Sequence, residues 1–391
     1  MDNPRSDGVD FDAAIDKEST AFSNVPRSPH DLTLMLFTSG TAGKPKAVVV
    51  PLRAVEAFRA YMKYAIDLRD DDVFGNIADP GWAYGLYYGV IGPLSLGQAV
   101  TFYNGPFTAE STYEVIKRFG VTNLTGAPTA YRLLIAAGQK LAAETVGKLR
   151  VVSSAGEALN PEVIRWFHEN LNCQIHDHYG QTEGGMILAN HHGLQHPIVM
   201  GTVGLAIPGL KAVILDDNSV ELECGQVGEL AVDRARSPLF WFEGYGLLVH
   251  SRVDTPRYHR TGDLAKMDES GAVTFVGRAD DVITTSGYRV GPFDVESTLM
   301  EHPAVAETAV IGKADPERTE LIKALVVLKA GYLPNNDLAE ELKIFVKKRL
   351  AAHAYPRELE FLAELPKTPS GKIQRFVLRE REANRAAAVN D

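Results

Sequence analysis

An α/β fold followed by a small all-β unit and a C-terminal α+β unit is what the order of apolar patterns in this chain predicts. Three observations carry that expectation. Strand-like runs alternate with amphipathic stretches of helix length from Leu52 to Cys173, the pattern of a mostly parallel sheet with covering helices. Short β runs (KAVILDD, GELAV, AVTFV) between Gly and Asp turns then fill Gly201 to Val276, which predicts a small antiparallel barrel or sandwich. Further on, the strand-like VAETAVIG and ALVVL precede Leu338, Leu342, Phe345, Val346 and Leu350, which recur at helical spacing.

Residues 1–30 read as a polar lead. Leu32 to Phe37 and Ala47 to Val50 are strand-like, so the loop TSGTAGKPK, Thr38–Lys46, joins two strands. Its Ser, Thr and Gly residues suit phosphate held by backbone N–H groups and hydroxyls, with Lys44 or Lys46 supplying charge. The loop lacks the G-x-x-x-x-G-K-[ST] spacing and opens no helix, and a surface hairpin rich in turn residues has the same composition. LRVVSSAGEALNPEVIRWFHEN reads as a strand, a glycine turn and a helix entered through Asn160 and Pro161, a favoured cap and first-turn pair. The α/β layer thus covers residues 31–200 and the β unit 201–276, together a large domain of 31–276. Residues 277–283 mark a boundary, and 284–391 make the C-terminal domain.

Composition excludes several classes. The chain has 391 residues, more than the roughly 100–200 of one ordinary domain, and its 45% apolar and 23% charged residues are those of a globular protein. A net charge of −10 opposes binding of nucleic acid over the whole surface. A local positive site is compatible with it: between Lys343 and Glu382 ten Lys or Arg stand against five Glu, a balance that equally describes a solvated helix face. The apolar stretch Tyr84 to Val100 is broken by Gly85, Gly89, Gly92, Pro93 and Gly97, so no membrane span is expected. The acidic N-terminus has no apolar core, and Cys173 and Cys224 share no metal or redox spacing, which together predict a cytoplasmic protein with reduced thiols.

Six segments together resemble the adenylate-forming superfamily, and within it the acetyl and medium-chain acyl-CoA synthetases. They are TSGTAGKPK, SAGEAL (Ser154–Leu159), HYGQTEGG (His178–Gly185), YHRTGDLA (Tyr258–Ala265), GRADDVITTSGYRVGPFDVE (Gly277–Glu296) and PKTPSGKIQR (Pro366–Arg375). The resemblance implies that superfamily's fold and a two-step reaction. A carboxylate attacks the α-phosphorus of ATP to give acyl-adenylate and pyrophosphate, and the thiol of CoA then displaces AMP. A ligase that loads a carrier-protein phosphopantetheine uses the same motifs, and a nucleotide-binding protein with little catalysis is the remaining alternative.

Residue roles follow from the same resemblance. Thr38, Ser39, Gly40, Thr41, Gly43 and Lys46 would embrace the β and γ phosphates, while Thr41 and Glu183 would approach Mg2+. Gly156, Glu157 and Ala158 would border the adenine. Tyr179 would stack on it with His178 and Gln181 beside it, Asp177 would accept from its amino group, and Thr182 would touch the α-phosphate. Asp263 would take both ribose hydroxyls, assisted by Arg278. Lys372 would neutralise the carboxylate and α-phosphate during adenylation only, making Lys372, Thr41 and Glu183 the candidate catalytic residues. Asp280 would be the hinge of the C-terminal domain, and in the second step Gly287, Arg289 and Lys347, with Lys348 and Arg349, would meet CoA. Taken singly, Asp263 is a turn residue after Gly262, Tyr179 a core aromatic and Lys372 an exposed lysine. His176, His178, His191, His192 and His196 invite a zinc reading, but no Cys or carboxylate joins them at ligand spacing, and those other than His178 are expected in loops.

Gly180 stands where acetate-using members carry a tryptophan that closes the acyl pocket, so the resemblance implies a larger acid, medium-chain or aromatic. Trp82 and Tyr84, with Tyr87 and Tyr88, would line that pocket; a buried aromatic cluster of a covering helix is the alternative. The phosphate loop begins at Thr38, whereas relatives carry a further α/β layer before it. The expectation is a chain with that first subdomain largely absent, apolar surface exposed in its place, and association into a homodimer.

Overall fold

The two apolar runs at the front pair with each other. In the computed structural model, which describes residues 9–21, 23–38, 46–157, 159–246, 256–351, 353–367 and 373–390, β1 (Leu32–Thr38) and β2 (Lys46–Pro51) form an antiparallel hairpin with Thr38 opposite Lys46. Residues 39–45 between them, and hence Ser39, Gly40, Thr41, Gly43 and Lys44, lie outside the described residues, as do Ala158 and Lys372.

A seven-stranded sheet follows. It contains β3 (Phe74–Asn76), β4 (Val100–Thr101), β5 (Asn123–Gly126), β6 (Val151–Ala155), β7 (Ile175–Gln181), β8 (Gly185–Ala189) and β9 (Leu205–Ala206), in the order β4-β3-β5-β6-β7-β8-β9. The first five strands in that order are parallel and the last two antiparallel, so the sheet is mostly parallel, as the alternating pattern predicts. The helices Ala109–Phe119, Pro128–Ala136 and Pro161–Leu171 share one core with it, built on Ile116, Tyr131, Leu134 and Phe167. The last of these helices begins as read from sequence: the Asn160 side chain accepts from the Glu162 N–H at 2.9 Å and Pro161 opens the first turn. On a second core, the helix Ala54–Tyr64 and the helical stretch 83–95 bring Phe58, Tyr61, Tyr87 and Tyr88 against Val48 and Val50 of the hairpin and Trp241.

The β unit is a meander of β10 (Ala212–Leu215), β11 (Val227–Asp233), β12 (Tyr258–Met267) and β13 (Val273–Arg278), with sequential neighbours antiparallel. Among the described residues it stays an open sheet rather than the barrel expected, because four strands do not turn far enough to bring β10 to β13. Its inner face, with Ile214, Leu230, Val232 and Ala265, joins the hairpin's core, so hairpin, helices and meander are packed as one body.

The C-terminal domain is α+β, as expected. It contains β14 (Ile283–Thr285), β15 (Tyr288–Val290), β16 (Val305–Asp315), β17 (Thr319–Leu328) and β18 (Glu358–Phe361), with the helices Pro292–Met300, Asn336–Arg349 and Arg375–Asn390. Alternation along β16 and β17 sends Val310, Ala324 and Val326 to a core with Leu342 and Val346, and Ala309, Ile311 and Leu325 to a second core with Leu378.

One ion-pair network fixes the amino ends of the parallel strands. Arg150 donates from Nε to Asp72 at 3.0 Å and from a terminal nitrogen to Asp67 at 2.6 Å, while Asp72 also accepts from the Thr122 hydroxyl at 2.8 Å and the Asn123 amide at 3.2 Å. Burial alone would raise the Asp72 carboxyl, but the hydrogen bonds from Arg150, Thr122 and Asn123 outweigh it and hold it below its usual range. Arg150→Ala strands a carboxylate whose side chain is 2% exposed. The expected loss is about 3 kcal/mol in urea unfolding, with Lys at this position recovering only part because it lacks the guanidinium fork. An unchanged unfolding midpoint would contradict this account.

His191, His192 and His196 lie in the loop after β8, as expected, but His176 is a buried strand residue. His176 and His178 lie on β7, the His176 and His192 rings stack at 3.8 Å, and His176 and His191 are buried. Each of His176, His178 and His192 meets a backbone carbonyl: Asn190 for the first two and Val152 for the third. Burial pushes the His176, His191 and His259 imidazoles down to about 4. An unfolded histidine titrates near 6.5, so these groups stabilise the fold fully above about pH 6.5 and lose that contribution as pH falls towards 4. Asp177, pushed by burial up to about 8, and Asp263 and Asp294, which burial also raises, act in the opposite sense, but burial lowers His178 and His192 as well, so five histidines stand against three carboxyls. The unfolding free energy is expected to fall between pH 6.5 and 5; a flat profile in denaturant titrations would rule this out.

Candidate nucleotide and acyl site

Alternation on β7 sorts its last residues into two sets. Asp177, Tyr179 and Gln181 fall on one side, and His178 and Gly180 on the other. The first set builds a polar wall. The Tyr179 hydroxyl donates to Asp263 Oδ2, and Gln181 Nε2 donates to the same oxygen at 3.0 Å and to the Thr261 carbonyl at 2.8 Å. Asp263 itself is buried on β12, directly opposite Arg278 on β13. Burial raises the Asp263 carboxyl, and the Tyr179 hydroxyl, the Arg278 charge and Gln181 pull the other way. Burial first, then the Asp263 charge, keeps the Tyr179 phenol protonated.

Asp177 has a different environment. One oxygen accepts from the Leu159 N–H at 3.2 Å, while Oδ1 is buried with no side-chain hydrogen-bond partner among the described residues. A buried orphan acceptor beside the SAGEAL segment is what an exocyclic amino group on a bound ring would satisfy. Glu157 of that segment does not point its charge into open space. Thr129 donates to both of its oxygens at 2.8 and 2.9 Å and Arg132 to one at 3.1 Å, so the helix Pro128–Ala136 orients it. Gly156 directly follows β6.

The second set faces the protein. The His178 imidazole is enclosed between the Tyr61 hydroxyl, 2.7 Å away, and the Asn190 carbonyl, so only its main chain is left for a ligand. Gly180 has no room for a side chain: a Cβ there would stand 2.4 Å from the Gly185 carbonyl and 2.4 Å from the Met186 sulfur. Close approach of β8 therefore requires glycine at this position, and a tryptophan would need the backbone to shift. Thr182 follows, its carbonyl accepting from the Tyr87 hydroxyl at 3.3 Å.

Glu183 and Lys46 come together through a residue that the sequence reading missed. Tyr245 donates its hydroxyl to Glu183 Oε1 at 2.8 Å, and the Lys46 ammonium lies 5.0 Å from the centre of its ring. Nothing in the local sequence EGYG marks this tyrosine. Thr38, at the other foot of the phosphate loop, reaches the Lys46 carbonyl at 3.5 Å. Trp82 caps a short helix and is 39% exposed, whereas the Tyr84 hydroxyl sits 3.0 Å from that of Tyr61. Among the described residues no group of three His, Cys, Asp or Glu could hold a metal. Glu183 as a lone carboxylate suits Mg2+ that arrives already bound to phosphates, since that ion usually takes one or two protein carboxylates.

The contacts described for the remaining candidates lie near the domain boundary or within the C-terminal domain. Arg278 clasps Asp280 through Nε at 2.7 Å and a terminal nitrogen at 3.1 Å. Gly287 forms the tip of the β14–β15 hairpin with Ser286, at φ values of +81° and +49°; a two-residue turn of this hand demands positive φ at both places, so local geometry accounts for this glycine. Arg289 pairs with Thr284, and the Lys347 ammonium rests 5.2 Å from the centre of the Tyr355 ring. Arg349 is engaged by Glu301 at 3.5 Å. Arg375, three residues after Lys372, is held by both oxygens of Glu296 at 2.7–2.8 Å. Its proton is held further by the charges of Asp281 and, from the large domain, Glu157, which with Glu296 outweigh the effect of burial.

The family pattern of AMP-binding enzymes matches residues 2–245, and that of the AMP-binding enzyme C-terminal domain matches residues 294–372. The chain is 42% identical to the acetyl-coenzyme A synthetase of Bacillus subtilis over 96% of its own length and 66% of the relative's. It is 37% identical to the mitochondrial acyl-coenzyme A synthetase ACSM3 of Rattus norvegicus over 93% and 63%. It thus spans slightly less than two thirds of these curated relatives. Among solved structures, an acyl-CoA synthetase of Brucella canis is 56% identical with a TM-score of 0.71, covering 99% of this chain and 70% of that one. The anthranilate CoA ligase AuaEII in complex with anthranoyl-AMP is 28% identical with a TM-score of 0.88, covering 99% and 73%. With more than half its length matched by the family pattern, the chain belongs to the AMP-binding enzyme family.

Proposed function

We propose that the chain activates a carboxylic acid with ATP, releasing pyrophosphate, and passes the acyl group from the adenylate to the thiol of CoA. The observation that carries this reading is the convergence of Asp177, Tyr179 and Gln181 of one strand with Asp263 of another sheet, at the carboxyl ends of the parallel strands, where open α/β sheets bind ligands. The orphan oxygen of Asp177 would accept from the adenine amino group, the Tyr179 ring would carry the base, and Asp263 would take the ribose hydroxyls. Tyr179 and Gln181 hold the Asp263 carboxylate in one orientation before any ligand arrives, so little reorganisation accompanies binding.

The first step brings a carboxylate up to a polyphosphate, and its barrier is mainly one of positioning and charge. Lys46 and the loop beyond Thr38 would hold the outer phosphates, and Lys372 would meet the reacting carboxylate and α-phosphate. Mg2+, if bound at Glu183 with the phosphates, would neutralise charge that repels the incoming acid. For the acid we propose a medium-chain or aromatic one. Tyr84 packs against the Tyr61 and Tyr88 rings, and Trp82, two residues before it, is 39% exposed; the likeness to an anthranilate ligase supports the same class. Reduced Cys173 and Cys224 accord with action in the cytoplasm.

Pyrophosphate exchange across a panel of acids, followed by thioester formation with CoA, tests the reading. Exchange is expected with medium-chain or aromatic acids, and Lys372→Ala should lower it by roughly 10²–10³-fold. Exchange that Lys372→Ala leaves intact would remove that assignment, and nucleotide binding without exchange on any acid would sink the activity. We also propose that the chain self-associates, since β1 leaves Leu32 43% and Phe37 66% exposed on the hairpin. Sedimentation should show a dimer at micromolar concentration; a monomer at every concentration would refute it.

A further inference from the structure

We propose that Tyr245 is a positioning residue for Mg·ATP, a spacer that keeps Lys46 and Glu183 close together yet unpaired; this rests on the adenylation reading above. Several contacts fix its place. Its hydroxyl donates to Glu183 Oε1 at 2.8 Å, and the Lys46 ammonium lies over its ring at 5.0 Å. Its main chain bridges to Val48 on β2, and the next N–H, that of Gly246, donates to the Ala47 carbonyl at 2.8 Å. On the inner side its ring packs edge-on against Phe242 at 5.2 Å, and Phe242 is itself buried. The backbone pairing and the aromatic contact hold the ring, so both polar partners are set by a fixed element.

The chemistry of the arrangement lies in what it prevents. Lys46 would serve the phosphates and Glu183 the metal, and two such groups within reach of each other would ordinarily form an ion pair. A direct pair would quench both charges and would have to break before Mg·ATP could use either. Among the described residues no ion pair joins Lys46 to Glu183. The tyrosine gives each a weaker partner: its ring face attracts the ammonium by roughly 0.5–2 kcal/mol, and its hydroxyl gives the carboxylate a single neutral donor. Both can be exchanged for a ligand at small cost, while the carboxylate keeps its orientation.

Tyr245→Phe retains the ring, the packing and the cation contact, and removes only the bond to Glu183. Binding of ATP is measured by calorimetry with increasing MgCl2 and separately in EDTA. The expected result is a Mg2+ requirement raised on the order of tenfold, as for other residues that orient a metal ligand, with ATP binding in EDTA and the KM for the acid unchanged. Tyr245→Leu, which also opens the space between Lys46 and Glu183, should weaken ATP binding in EDTA as well. Should Tyr245→Leu fail to fold, Tyr245→Phe decides alone, its melting temperature matching the wild type. A Mg2+ titration of Tyr245→Phe that overlays the wild type would overturn the role of Tyr245 and leave the adenylation reading standing. A wild-type chain that binds no Mg·ATP would overturn both.

Discussion

A buried carboxylate shared by two sheets is the constraint on which this site depends. Asp263 belongs to the antiparallel meander, and the groups that satisfy it, Tyr179 and Gln181, belong to the seven-stranded sheet. An unpaired charge at such depth would be costly, so the meander and the sheet must meet in one register for the carboxylate to be tolerated. The apolar core that joins hairpin, helices and meander holds them there. Removing one member of such a cluster leaves the others unsatisfied, so its hydrogen bonds specify the relative placement of the sheets more than they add to stability.

The same placement accounts for which side chains a ligand can reach. A strand has two faces, and β7 gives one to the cleft and the other to the core. Asp177 and Tyr179 are therefore available, while the His178 imidazole is consumed by Tyr61 and Asn190. Gly180 follows from the same geometry. It sits where β7 and β8 close on each other at a register shift, and the space a side chain would take is filled by Gly185 and Met186. The strand pairing alone thus accounts for glycine at this position.

These distinctions mark how far the sequence could be read. The hairpin around Thr38–Lys46 was legible because an apolar run and a β-branched run flank a turn-rich segment, and the helix at Pro161 because its cap is written in Asn160 and Pro161. Those signals are local. The motif residues Asp177, Tyr179 and Asp263 were legible only through resemblance; the structure joins Tyr179 to Asp263 by a hydrogen bond. The open meander, the commitment of His178 to the core and the crowding at Gly180 depend on strand register, which composition does not encode. Tyr245 was missed for a related reason: its partner Glu183 is 62 residues away in sequence, and a lone tyrosine between glycines carries no pattern of its own.

Charge placement links the two domains as well as the two sheets. Arg278 stands opposite the ribose-side carboxylate Asp263 in the β12–β13 register and clasps the boundary residue Asp280 two positions on. Within the same segment, Asp281 pairs with Arg379 at 2.5 Å, and Arg375 on the helix of Arg379 is held by Glu296. A chain of charges thus runs from Asp263 through Arg278, Asp280 and Asp281 to the helix Arg375–Asn390. The Arg278–Asp280 pair is partly exposed on both sides, at 39% and 47%, where such pairs contribute little to stability. The more buried bonds of Arg375 to Glu296 lie within the C-terminal domain.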